Sequence, residues 1–248
     1  MNFRLLKNVL FLFSPLLFLS GCNKDICDEC LTKTGDDVQS IRTASSFNQI
    51  DLEGKIELVL TQDTIERIAV VAGKNLIDKI ETSISSGLLT IRNHNTCNFV
   101  RSFDRKITVY VSVHHLQSLL YNGAGDVNCV NALTDSLISV NSIDGSGTVN
   151  LKLNAQTANA TLTSGPADIY FTGTAPLLYV YSGGNGTIHT ENLVCSQIYL
   201  TNNGTGDLSV NTSGTIQAIL TGSGNVLCYG HPSNVQKSES GSGRFILR

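Results

Sequence analysis

The chain has 248 residues, enough for one large domain, with 41% hydrophobic and 15% charged residues and a net charge of −3. That near-neutral balance excludes the strong basic surplus of a nucleic-acid binder. Gly is abundant at 22, Trp is absent and Met occurs only once, which favours turns and strands over a helical bundle.

Residues 1–21 read as a leader. Arg4 and Lys7 form a short positive region, and the apolar run Val9 to Leu19 is interrupted only by Ser14 and Pro15. The run is too short for a comfortable membrane span and suits a cleaved export signal. It ends Leu19-Ser20-Gly21-Cys22, the pattern of a bacterial lipobox, in which cleavage precedes a cysteine that is then lipidated. Cys22 is therefore the expected lipid-attachment site and the membrane the expected partner, reached through that anchor. Without Arg4 and Lys7 the charge moves from −3 to −5, so the mature chain is mildly acidic.

Residues 22–46 read as a polar tether. Asp25, Asp28 and Glu29 follow the anchor cysteine and point weakly to surface export. Cys27 and Cys30 form a CxxC, but no second CxxC follows and no helix begins there, so zinc and thiol-exchange chemistry are set aside. An exported chain is free to form disulfides, and one from Cys27 or Cys30 to Cys97 is expected to tie the tether to the first strands.

From 47 to 115 the chain is β-like but irregular. Lys55 to Gln62 and Lys106 to Val113 alternate apolar and polar residues, and Asn75 to Asn93 contains a Ser-Ser-Gly hairpin signal. These strands are expected to cap or extend the more regular C-terminal half of the chain.

From 116 to 248 a repeat takes over. Gly123-Ala124-Gly125 recurs as Gly145-Ser146-Gly147, Gly184-Asn185-Gly186, Gly204-Thr205-Gly206, Gly222-Ser223-Gly224 and Gly241-Ser242-Gly243, with a degenerate copy at Gly165-Pro166-Ala167. The steps are 22, 20, 19, 20, 18 and 19 residues. Two residues past each motif stand Val127, Val149, Ile169, Ile188, Leu208, Val226 and Phe245, all apolar; two further on come Cys129, Leu151, Phe171, Thr190, Val210, Cys228 and Leu247. Strand, glycine corner and strand cannot bury their own inner face, whereas stacked copies can. The fold class is therefore all-β: a parallel β-helix (solenoid) of about seven 20-residue rungs, spanning roughly 30–35 Å at the strand spacing. The glycines serve either positive φ or close backbone approach, and the Gly165-Pro166-Ala167 corner is expected to bulge. Cys129 and Cys228 fall in the inner columns as small core residues. Arg244 and Arg248 bracket the final apolar strand and are expected to blunt its edge.

The stretches "FNQIDLEGKIELVLTQ", "NLIDKIETSISSGLLTIRN", "NTCNFVRSF" with "ITVYVSV", and the rungs ending in "GHPS" and "GSGRFILR" together resemble the auto-transporter adhesins with a head GIN domain. The resemblance covers Phe47 to Arg248. It implies a β-helix-like fold and an envelope protein with an adhesin role, and brings no catalytic motif.

Site candidates are few. Gly145-Ser146-Gly147 is no phosphate loop, because no Gly-Lys-Ser/Thr and no helix follow it. Asp126, Thr148, Asp168, Thr187, Asp207, Asn225 and Arg244 follow the successive motifs and read as turn chemistry; the Gly-Gly-x-Gly-x-Asp of calcium-binding rolls is missing, so no metal and no cofactor is expected. The five histidines are scattered, and strand alternation puts His114 and His115 on opposite faces. Tyr170, Tyr179, Tyr181 and Tyr199 are the surface aromatics that would stack on a sugar or anchor a protein. The expected function is thus a non-enzymatic, outer-membrane-anchored envelope protein with a glycan- or protein-binding face. A polysaccharide-degrading enzyme on the same scaffold and a structural envelope component are the alternatives.

Overall fold

A computed structural model describes residues 33–95 and 106–248, so the leader and Cys22, Cys27, Cys30 and Cys97 lie outside the described residues. The chain enters on β1 (Asp37–Arg42), within the segment expected to be tether, and continues through β2 (Gln49–Gly54), β3 (Glu57–Gln62) and β4 (Arg67–Gly73). A 3-10 turn at Ile77–Lys79 leads to β5 (Ile80–Ser85), β6 (Leu88–Asn93) and β7 (Thr108–Val113). Then come β8 (Ser118–Gly123), β9 (Val127–Cys129), β10 (Leu133–Ser142), β11 (Thr148–Leu162), β12 (Asp168–Thr174) and β13 (Leu177–Ser182). β14 (Ile188–Asn202), β15 (Leu208–Leu220), β16 (Val226–Tyr229), β17 (Asn234–Glu239) and β18 (Phe245–Leu247) complete the chain.

From β8 onward the strands wind as a parallel solenoid with two broad faces that meet at the glycine corners; seven corners bound six turns. On the first face Leu119, Val140, Ala160, Val180, Leu200 and Ala218 lie in register from turn to turn. On the second face the register runs Val127, Val149, Ile169, Ile188, Leu208, Val226, Phe245, the column read from the repeat. Every residue of both columns is buried, so the lumen is a filled apolar core. Thr190, the polar member of the next column, is fully buried and donates its hydroxyl to Ser209 O at 3.0 Å. Cys228 is fully buried, whereas Cys129 is half-buried at the start of the repeat and accepts the Lys152 N–H at 3.0 Å. With Cys195 they are free thiols, and burial pushes Cys195 up to about 12.

The corner glycines are required by close approach, not by left-handed backbone. Of the glycines in the seven motifs only Gly165 has positive φ, +81°. A Cβ on Gly147 would sit 2.7 Å from Gly125 O, and one on Gly184 2.6 Å from Gly165 O. At Gly186, Gly206, Gly224 and Gly243 the carbonyl of the turn below is nearer still. The Gly165-Pro166-Ala167 corner differs by this one left-handed residue; β11, which leads into it, pairs with β13, and β12, which leaves it, pairs with β11, both without a register shift, so no bulge forms there.

The irregular region belongs to the same stack. Leu58 and Val109 extend the second-face column and Ile50 and Leu89 the first. The order is not that of the chain: β2 pairs with β6 on one side and β8 on the other, and β3 likewise lies between β7 and β9. β4 and β5 close the N-terminal end by antiparallel pairing to β7 and β6. The Ser-Ser-Gly hairpin joins β5 to β6, with φ +51° at Ser86 and +80° at Gly87. β1 adds to β4 antiparallel over six residue pairs. Its inward side is Val38, Ser40 and Arg42, and its one large apolar residue on the other side, Ile41, is 81% exposed, which is why the stretch looks like a polar tether.

Candidate functional site

Because successive strand residues alternate faces, the odd-numbered residues in the first-face segments of β11, β13, β14 and β15 point outward. Ladder pairing then builds two outer columns: Asn159, Tyr179, Tyr199, Gln217, and beside it Thr161, Tyr181, Thr201, Ile219. The Tyr179 and Tyr199 rings stack at 5.3 Å between centroids and 14° between planes. They use one face of each ring on each other and form a ridge two turns wide. The shorter Asn159 and Thr161 flank it on one side, Gln217 and Ile219 on the other, so each outer ring face looks over a trough. The groove so formed has a volume of about 480 Å³. Tyr179 and Tyr181 are 44% and 38% exposed, and the Tyr199 hydroxyl is held by Gln197 Nε2 at 2.5 Å. The lining holds no Asp, Glu, His, Lys or Arg, so the groove offers stacking, amides and hydroxyls.

Tyr170 does not join this group. It lies on the second face, where its ring stacks on His189 at 4.5 Å and 5°. His189 is in turn fixed by Thr187 Oγ1 at 3.0 Å and Glu191 at 3.6 Å. Burial, then Asp168 and Glu191, push the Tyr170 phenol up.

The corner ladder is structural. Asp126 Oδ1 accepts the Thr148 N–H at 3.0 Å, Asp168 Oδ1 the Thr187 N–H at 2.9 Å, Asp207 Oδ1 the Asn225 N–H at 2.7 Å, and Asn225 Oδ1 the Arg244 N–H at 3.1 Å. Each side chain caps the next turn rather than its own, the one difference from local turn chemistry. Among the described residues no group of three His, Cys, Asp or Glu is placed to hold a metal ion.

A second cleft of about 370 Å³ is lined by Ser46, Glu66, His114, His115 and Gln117 with neighbouring residues. Here strand alternation misleads: β7 ends at Val113, so His114 and His115 lie beyond it with ring centroids 4.2 Å apart and face the same cleft. His115 Nδ1 lies 3.2 Å from Asp135, and Ser46 donates to Glu66 rather than to an imidazole. The Ser46 hydroxyl and the His115 imidazole are thus each paired to a carboxylate. Elsewhere on the first face Arg92 bridges Asp51 at 3.3 Å and Glu53 at 2.9 Å; burial, then Glu53, push the Asp51 carboxyl up against the pull of Arg92. No described helix is long and apolar enough to cross a membrane.

The fold recurs in solved structures. A "putative adhesin" from Bacteroides fragilis superposes with a TM-score of 0.78 at 22% identity, covering 86% of this chain and 97% of that one. A second, from Parabacteroides distasonis, gives 0.64 at 17% identity, covering 86% and 98%. A "putative lipid binding protein" from Parabacteroides distasonis also gives 0.64, at 16% identity, covering 86% and 97%. No curated protein matches the sequence. The family model described as "Putative auto-transporter adhesin, head GIN domain" matches residues 46–232, three quarters of the chain. The sequence stretches, the glycine-cornered solenoid and this match agree, and the chain belongs to the auto-transporter adhesin, head GIN domain family.

Proposed function

We propose that the protein is a non-enzymatic cell-envelope binding protein, anchored to the outer membrane through a lipid on Cys22, whose Tyr179–Tyr199 groove takes an uncharged glycan. The observation that carries this reading is the stacked tyrosine ridge set between Asn159 and Gln217 with no Asp, Glu, His, Lys or Arg in the lining. A pyranose presents an apolar C–H face that packs on an aromatic ring, and its hydroxyls match amide donors and acceptors. Cleaving a glycosidic bond needs a pair of carboxyl groups or an equivalent acid and base at the bond, and the groove lining supplies neither. A lipid-binding role, suggested by one structural neighbour's description, is less well supported, because the lumen of this rod is filled by its own side chains.

The test is an array of bacterial, mucin-type and matrix glycans and matrix proteins, probed with residues 22–248 carrying Cys22→Ser. The reading expects glycan signals that Tyr179→Ala/Tyr199→Ala abolishes and Tyr170→Ala leaves intact. Binding only to proteins would transfer the groove to a protein ligand; glycan binding indifferent to the double substitution would sink the assignment. The anchor has its own test: cells fed a palmitate analogue should label the native chain and not the Cys22→Ser chain.

A further inference from the structure

The two ends of the rod meet solvent differently. At the N-terminal end antiparallel strands fold over the stack. At the C-terminal end the last turn is β17 and β18, paired to β15 and β16 and, among the described residues, to no other strand. An open parallel end exposes unpaired backbone and the cross-section of an apolar lumen, a surface that suits a second copy of the same end.

Two inner columns, one apolar and one mixed, end on a charge. The column Ala160, Val180, Leu200, Ala218 continues in register into Lys237, and the column Leu162, Ser182, Asn202, Leu220 into Glu239. Both charges thus stand at core positions of the final turn. Lys237 Nζ reaches Glu239 Oε1 at 3.2 Å, and the same oxygen accepts the Phe245 N–H at 2.7 Å. Lys237 Nζ also stands 5.7 Å over the ring of Phe245, the last member of the second-face column, which is left only 8% exposed. Lower in the rod a corner carbonyl is satisfied by the next turn, as Gly222 O is by the Gly243 N–H at 3.1 Å. At the Gly241-Ser242-Gly243 corner it is Arg244 Nη1 that donates to Gly241 O at 3.2 Å and Gly243 O at 2.8 Å.

We infer that Lys237, Glu239 and Arg244 form a built stop that closes the C-terminal end of the rod against a second copy of this chain, leaving the lateral faces for partners. Docking another end here would strip water from a Lys–Glu pair and an Arg that already hold their partners within the chain, a desolvation cost for no new pairing they lack. Of the two arginines bracketing β18 only Arg244 belongs to this device, and the inward charges of β17 are its centre.

The test is light scattering after size exclusion on residues 22–248 with Cys22→Ser, which retains every described residue. The unaltered sequence should elute with the mass of one chain at all concentrations. Lys237→Val/Glu239→Leu, which puts apolar residues at the end of both inner columns, should move to the mass of two chains or more as concentration rises. The swap Lys237→Glu/Glu239→Lys should stay single. Self-association of the unaltered chain, or a folded Val/Leu variant that stays single throughout, overturns the inference. If the Val/Leu variant loses its β-sheet circular dichroism, Glu239→Leu alone is read the same way. Loss of fold in that variant too would make the pair a requirement for folding rather than a stop, and would equally overturn it.

Discussion

Replacing Gly206 by Ala isolates the reason for the glycine corners. The φ of Gly206 is not positive, so an Ala backbone fits; what it lacks is room, because the added Cβ falls inside the contact surface of the Gly186 carbonyl oxygen, with Asn185 O 3.1 Å away. Relief requires the two corners to separate by roughly an ångström, since non-bonded atoms tolerate little compression. The bonds that resist are Thr205 N–H to Gly184 O at 3.0 Å and Asn203 N–H to Ser182 O at 2.7 Å. Losing both at about 1 kcal/mol each, with about 1–3 kcal/mol of overpacking, gives roughly 3–5 kcal/mol. For a chain of this size that is a fall in Tm of about 6–20 °C by circular dichroism. Gly87→Ala is the comparison: its φ is +80° but the nearest atom to the new Cβ is 3.5 Å away, so only the left-handed penalty applies, about 1 kcal/mol. Ser223→Ala, at the exposed centre of a corner, should stay within about 0.5 kcal/mol. If Gly206→Ala cost no more than Gly87→Ala, close approach would not be why these corners are glycine.

Tyr121 is fully buried and its hydroxyl donates to Gly125 O at 2.7 Å while accepting the Gly147 N–H at 2.9 Å. Tyr121→Phe should cost about 2–4 kcal/mol, because two buried backbone groups lose their partner, and in a spectrophotometric titration the substitution should remove a late-ionising phenol, pushed up to about 12 by burial. The described flanks of the undescribed segments converge, Lys33 O accepting from Asn75 Nδ2 at 2.8 Å and Leu76 O from Asn95 Nδ2 at 3.1 Å. A non-reducing peptide map of the exported protein should therefore show Cys97 joined to Cys27 or Cys30, and a free Cys97 thiol would refute it. The Phe245 N–H first, then Lys237, with Arg244 adding to the pull, hold the Glu239 carboxyl below the usual range. A depressed folded pKa adds stability above the unfolded value that is lost as pH falls through the folded one. NMR should accordingly show the Phe245 amide shifting only below the ordinary glutamate range; a midpoint at or above that range would contradict the contact.

Much of the architecture is legible because the repeat prints its own register. The column from Val127 to Phe245 can be written down from spacing alone, since each inward residue rests on its equivalent one turn away. What stays hidden has specific causes. Leu58 and Val109 belong to the same column, but their turns stack out of chain order and carry no Gly-x-Gly corner to mark them. β1 reads as tether because a strand that packs Val38, Ser40 and Arg42 inward has no apolar period. His114 and His115 are separated by a strand rule that stops applying one residue earlier. The outer groove is half legible: Tyr179 and Tyr199 share a column in the sequence, but that their rings face each other and open troughs to either side depends on rotamers. Tyr170 groups with them in the sequence because outward-pointing looks the same on both faces until the turns are wound.

The out-of-order stacking at the start of the rod also constrains how the chain can be made. β2 and β3 leave the ribosome first, yet both edges they must pair with, β6–β7 and β8–β9, arrive later. Until about Val113 has emerged this first strand pair has bare edges on both sides, and until about Cys129 on one, a period in which the chain is open to aggregation, proteases and chaperones. From β10 onward each new turn finds a finished template beneath it and can add like a closing zip. Removing whole turns from the C-terminal end should therefore leave a foldable stump, whereas removing β2 and β3 takes out the layer on which the first and third turns rest.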